Sequence, residues 1–267
     1  MLEINHMNKQ SGMGLVELMI GSLVGLIIVA GVLVMYTATV KGSATTLRAA
    51  KLNQELSAAM SVMTRDIRRA GHWFNVQADD EDNPFSRMGT TNISIQDNGS
   101  NVAGCILYSY DRIAGDGSTA VPAVFGIDLF GFKLENEQIF MHTGGTSLTN
   151  NCANGTWEAI TDNNIIKITA LSFSTLNSKC LNSSSTADPQ ANWRVTSSTA
   201  TTFPCDKSTV TTTGYSAALN DVLLETRQVN IVLTGELRST GTSLKVTKSL
   251  QESVRVRNDR VSLAAAP

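Results

Sequence analysis

The sequence predicts an α+β chain in which one long N-terminal helix, apolar first and amphipathic afterwards, packs on an antiparallel β-sheet. Three observations predict it. No charged residue occurs from Leu18 to Tyr36. Apolar residues between Val40 and Ala70 recur at mostly three- and four-residue steps, one face of a helix. Beyond residue 75 short alternating runs are separated by stretches rich in Ser, Thr, Asn and Gly, the pattern of strands and turns.

The apolar run comes first in the chain. As a helix rising about 1.5 Å per residue it covers roughly 28 Å, the hydrocarbon thickness of a bilayer. A secretory signal peptide is the first competing reading, with Lys9 as its basic region. The run exceeds the usual apolar length of such a signal, Glu17 sits where that region should begin, and no convincing A-x-A site follows. The alternative is cleavage before the run, which leaves it in the mature chain. Glu17 is then an acid at the end of a membrane segment, where a carboxylate is expensive and points to a function. Near the end of the span it can protonate or reach headgroup water. Gly21 and Gly25 form a small-xxx-small pair that lets two helices approach closely.

The second half of the helix carries Val40, Ala44, Leu47, Leu52, Leu56, Ala59, Met63, Ile67 and Ala70 on one face, giving a continuous helix from about Leu15 to Ala70. Gly71 follows as a C-terminal stop, and Arg65, Arg68 and Arg69 oppose the negative end of the helix dipole.

Strands are expected at "CILYSY", "EQIFMH", "NIIKITALSFSTL", "RQVNIVLTGEL" and "LKVTKSLQESVRVRN", the last two joined through "RSTGTS" as a hairpin. Cys105, Cys152, Cys180 and Cys205 lack C-x-x-C spacing, which argues against a zinc knuckle or a thioredoxin-like site. Behind a membrane-targeting segment an even count reads as two disulfides in an oxidising compartment. Three connectivities are possible; the sequential one, Cys105 to Cys152 and Cys180 to Cys205, closes the shortest loops. Four buried free thiols are the competing reading.

With 267 residues, 42% of them apolar, the chain suffices for one large globular domain or two small ones. A net charge of −2 and a pI near 5.9 leave no general basic surface for nucleic acid. The acidic run Asp79, Asp80, Glu81 and Asp82 has oxygen ligands for calcium but lacks the glycine and spacing of an EF-hand loop, so it reads as a solvated loop and no metal is expected. There is no G-x-S-x-G, P-loop or H-E-x-x-H, and the three histidines, His6, His72 and His142, stand apart. No catalysis, cofactor or small-molecule substrate is expected.

The stretch "SGMGLVELMIG" resembles the class III leader of type IV prepilins: a short hydrophilic leader ending in glycine, then an apolar helix with glutamate at its fifth position. "TRDIRRAGHW" and "VRVRNDRV" are similar to the helix ending and closing strand of PilW-type minor pilins, and the first also to J-type minor pseudopilins. The resemblance covers the first 71 residues and, more loosely, residues 165 to 258. It implies a pilin-like fold with a leader over 1–12, a transmembrane and polymerisation half-helix over 13–40, an amphipathic half-helix over 41–71 and a β-rich globular domain over 72–267. It implies prepilin peptidase cleavage between Gly12 and Met13, N-methylation of the Met13 amine, and pairing of that amine with Glu17 of a neighbouring subunit. The family often has Phe at Met13 and Thr or Ser at Gly14. Its partners would be other minor pilins, the major pilin, the peptidase and the inner membrane, with the globular domain in the periplasm and then at the pilus tip. A minor pseudopilin of a type II secretion system and a membrane-anchored periplasmic adhesin or binding module are the alternatives.

Overall fold

A computed structural model of the protein describes residues 14–73, 83, 85, 92–99, 101–112, 128–144, 151–182, 194–196, 201, 203–205, 222–238 and 246–263. The chain divides into two units, Met1–Ala49 and Ala50–Pro267. Helix α1, Leu15–Ile67, supplies the described secondary structure of the first unit and the opening element of the second.

Within the second unit α1 buries Leu52, Leu56, Ala59, Met60, Met63, Thr64, Asp66 and Ile67. Burying a Leu, Ile or Met side chain contributes roughly 1.5–3 kcal/mol, so this apolar face is a large part of what holds the helix on its sheet. The expected stripe is shorter than its periodicity suggests. Val40 and Leu47 continue it in sequence but are 48% and 71% exposed, and burial begins at Leu52.

Among the described residues twelve strands follow, and each pairing is antiparallel. A five-stranded sheet orders β1 (Ser94–Asn98), β2 (Asn101–Ser109), β3 (Leu129–Glu135), β4 (Gln138–Gly144) and β5 (Thr156–Ala159) in sequence. A three-stranded sheet places β10 (Gln228–Leu237) between β11 (Thr247–Arg255) and β6 (Ile166–Ser174). A four-stranded sheet runs in the order β12 (Arg260–Leu263), β9 (Val222–Thr226), β7 (Lys179–Asn182) and β8 (Arg194–Thr196). The α+β, pilin-like arrangement expected from the sequence is therefore present.

One core unites the α1 face with Ile106, Tyr108, Phe130 and Phe132 of the first sheet and Phe173, Val229, Ile231 and Leu233 of the second. The alternation Val229, Ile231, Leu233 predicts their common inward face. Gly235 continues that face without a side chain. A Cβ there would lie 2.9 Å from Leu56 Cδ2, so the glycine admits the helix to the sheet.

Cys105 is bonded to Cys152 and Cys180 to Cys205, across separations of 47 and 25 residues. On the chain-entropy account, loops of these sizes contribute about 4 and about 3.5 kcal/mol. The first bridge anchors a small apolar cluster of Cys105, Leu107, Leu129 and Cys152, with Trp157 packed against it.

Near that cluster His142 is buried, its Nδ1 lies 2.8 Å from the Leu129 carbonyl, and its ring meets Trp157 edge-on. Burial holds its imidazole below the usual histidine range, helped by the Lys133 charge and opposed by the carbonyl. The unfolded chain takes up this proton near pH 6.5 and the folded chain only below that, so stability falls as pH drops below about 6.5. Between pH 7 and 5.5 the thermal midpoint of the full-length chain should decline more steeply than that of His142→Gln. Equal slopes would contradict this account.

Candidate functional site

In the first unit α1 opens at Leu15, where the Gly14 carbonyl accepts the amides of Glu17 (3.0 Å) and Leu18 (3.3 Å). Glu17 thus lies in the first turn, where a carboxylate complements the positive end of the helix dipole. Gly12 and Met13, the expected scissile pair, lie outside the described residues, as do His6 and the acidic run Asp79–Asp82.

Downstream of Glu17 the helix is wrapped in exposed apolar side chains. Leu18, Leu26, Ile27, Val34 and Met35 are each more than 60% exposed. An 18-residue window reaches a mean hydropathy of 2.7 with none of it buried, so α1 is long and apolar enough to cross a membrane. Its Ser22, Thr37 and Thr39 hydroxyls are already satisfied. Ser22 donates to the Met19 carbonyl, Thr37 to Val34 and Thr39 to Met35, each at 2.9 Å. Such back-bonding removes the cost of placing a hydroxyl in hydrocarbon.

Glu17, Gly21 and Gly25 follow one another at four-residue intervals, so they share one ridge of the helix. Nothing lies within 4 Å of where a Cβ on either glycine would stand. The helix therefore brings a terminal carboxylate and two bare backbone positions onto one side.

In the second unit the two segments quoted above for their resemblance meet at the end of α1. After Ile67 the chain tightens, with Arg69 donating to Asp66 (2.9 Å) and Ala70 to Ile67 (3.1 Å), and Gly71 takes a φ of 72°. That left-handed conformation ends the helix, as the glycine predicted. It also makes room: a Cβ at Gly71 would stand 2.5 Å from Arg227 Nη2.

The last carbonyls find their partners far along the chain. Arg257 donates its amide to Arg68 (3.1 Å), and Asn258 Nδ2 reaches the carbonyls of Ala70 (3.1 Å) and Arg69 (3.4 Å). Arg227 underlies this cap, donating to Asn92 Oδ1 (2.8 Å) and to the Asn258 carbonyl (2.6 Å). Burial pushes its guanidinium down to about 10, partly offset by Glu225. Glu225 itself is fully buried and held by Arg260 at 3.2 Å and by the Cys205 amide at 3.0 Å.

Asp66 is the second polar anchor. It accepts the hydroxyls of Tyr108 (2.6 Å) and Tyr110 (2.8 Å), and Arg69 lies 3.7 Å away and over the Tyr110 ring. Burial first and the Asp66 charge second hold both phenols well above the usual tyrosine range. Asp66, Arg227 and Asn258 escaped the sequence reading. The available signal was an acid beside the apolar stripe together with "YSY", whose two tyrosines must share a strand face.

Among the described residues no group of three or more His, Cys, Asp or Glu is gathered as a metal site. A family model described as prepilin peptidase-dependent protein B matches residues 45–256, most of the chain and nearly all of the second unit. The chain belongs to this family. Comparison with curated proteins and with solved structures returns no match. As a member of the prepilin peptidase-dependent protein B family it is a pilin-like protein related to type IV pilus minor pilins, with prepilin peptidase as its processing partner. The exposed apolar helix is consistent with membrane anchoring. The matched region begins beyond Glu17, so the ridge of Glu17, Gly21 and Gly25 stands on the helix geometry alone.

Proposed function

We propose that this protein is a PilW-type minor pilin that primes assembly of a type IV pilus and resides at or near its tip. Prepilin peptidase cuts between Gly12 and Met13, and the new Met13 amine is N-methylated. The mature protein crosses the inner membrane once, with its C-terminal unit in the periplasm, and then passes to the pilus on the cell surface. Other minor pilins and the major pilin are its partners, and it performs no catalysis. One observation carries this reading: an exposed apolar helix with a single carboxylate in its first turn, in a chain of the prepilin peptidase-dependent family.

Glu17 has its use in assembly. In hydrocarbon a carboxylate needs a counter-ion, and a freed amine on an adjoining helix supplies one when subunits stack. Gly21 and Gly25 on the same ridge let that helix come close enough.

The test uses the full-length chain in its own cells. Mass spectrometry of the mature protein should find a methylated Met13 N-terminus that is lost when the prepilin peptidase is deleted. Glu17→Ala should leave cleavage intact while the protein vanishes from sheared filaments. An N-terminus beyond the apolar run, or normal filament entry by Glu17→Ala, overturns the reading.

A further inference from the structure

Among the described residues strand β11 has one neighbour, β10, and forms an edge of its sheet. Leu237 donates its amide to Val246 (3.2 Å) and Val256 donates to Arg227 (3.0 Å), which brackets the ladder from both ends. In an antiparallel pair such bonded positions alternate, so the even-numbered residues of β11 bond to β10. Ser249, Gln251 and Ser253 therefore turn their N–H and C=O groups to the free edge. At one end this edge is already in use, because the Arg257 amide bonds the Arg68 carbonyl.

Alongside the edge runs a groove of about 260 Å³ lined by Ser57, Met60, Ser61 and Thr64 of α1 and Leu250, Gln251 and Glu252 of β11. Leu250 and Glu252 stand opposite Leu233 and Ile231, so they share the sheet face on which α1 lies. Gln251 points the other way, so the groove reaches the strand's edge and not its face alone. Met60 and Leu250 give it an apolar floor. Glu252 is exposed, and among the described residues no cation pairs with it.

We propose that this edge is a docking site for an extended segment of a different pilin-like subunit, which adds to β11 as a further strand and sets a Lys or Arg into the groove. The proposal rests on reading the chain as an assembled subunit. The backbone of Ser249, Gln251 and Ser253 supplies the hydrogen bonds, as in other cases of strand addition. The groove supplies selectivity: the aliphatic stem of a basic side chain covers Met60 and Leu250 while its head meets Glu252. Pairing of β11 with itself about Gln251 would set the two Glu252 carboxylates diagonally on one face, where like charges repel. A segment that carries Lys or Arg at that place removes the repulsion.

The test places a photo-crosslinking residue at Ser249 of the full-length chain in cells and identifies the adduct by mass spectrometry. The expected adduct is another subunit that is made with a prepilin leader, joined through a segment that contains Lys or Arg. Glu252→Lys should lower its yield about tenfold or more, and the reverse change in the partner should restore it. Gln251→Pro should abolish it without unfolding the protein, because the lost N–H and the added ring both face the free edge. An adduct with a second copy, no adduct, or a yield indifferent to both substitutions overturns the proposal. Leader processing is scored in the same cells. Normal processing with no adduct sinks the docking site alone, whereas absent processing sinks the reading beneath it.

Discussion

Replacing Asp66 by alanine should lower the stability of the second unit by about 3–5 kcal/mol, read as a drop in denaturation midpoint of the full-length chain in detergent. The carboxylate accepts two phenolic hydroxyls, and both tyrosines are buried, at 0% and 3% exposure. Without it neither hydroxyl has water to turn to. An orphaned buried donor costs roughly 1–3 kcal/mol, and a hydrogen bond to a charged group is worth more than a neutral one. Asp66→Asn keeps one acceptor and should fall between. The sharper check is the combined variant Asp66→Leu, Tyr108→Phe and Tyr110→Phe, in which both phenols and their acceptor are gone and only the solvated Arg69 loses a partner; it should regain most of the loss. If Asp66→Ala costs under about 1 kcal/mol, the two hydrogen bonds do not anchor the helix end.

Arg260→Met should be of similar size, about 3–5 kcal/mol, because it takes from the fully buried Glu225 carboxylate the guanidinium that lies 3.2 Å away. The pair is almost wholly removed from solvent, with side-chain exposures of 5% and 0%. Its attraction does little more than offset the desolvation of both groups, so removing one partner does more harm than removing both. Arg260→Met combined with Glu225→Gln should therefore recover much of the stability. The double variant also leaves the Cys205 amide an acceptor, since the Gln carbonyl can take the place of Glu225 Oε1. A double variant no more stable than the single one would show that Arg260 acts through packing rather than charge.

The helix was legible because two different periodic signals abut in the sequence, an unbroken apolar run and then a three-and-four-residue stripe. Its stop was legible because Gly71 adopts the conformation glycine alone takes cheaply. Five strands were legible for the same kind of reason, as the 0% exposure of Val229, Ile231 and Leu233 illustrates. The sequential pairing of cysteines matched the shortest loops.

The remaining strands were hidden by composition. β3, "LFGFKLE", is buried on both faces except at its end, so it shows no alternation, and it contains a glycine that weakens the strand signal. β1, "SIQDN", is mostly polar, and β7, "KCLN", is too short to show a period. The polar anchors were hidden for another reason. Arg227 meets Asn92 across 135 positions of sequence, and Asp66 meets Tyr108 across 42. Nothing local marks such partners. The sequence pattern makes Arg65, Arg68 and Arg69 alike dipole complements, yet Arg69 lies over Tyr110 and beside Asp66, a specific contact.

The end of α1 obtains its carbonyl partners from Arg257 and Asn258, close to two hundred positions further on. A chain made from its N-terminus therefore holds the helix long before the residues that close it. Until they arrive, Arg227 also lacks the Asn258 carbonyl. Such long sequence separation delays ordering. The second unit thus completes its fold only when its final strands are in place, so removing those strands would leave the end of α1 without its carbonyl partners.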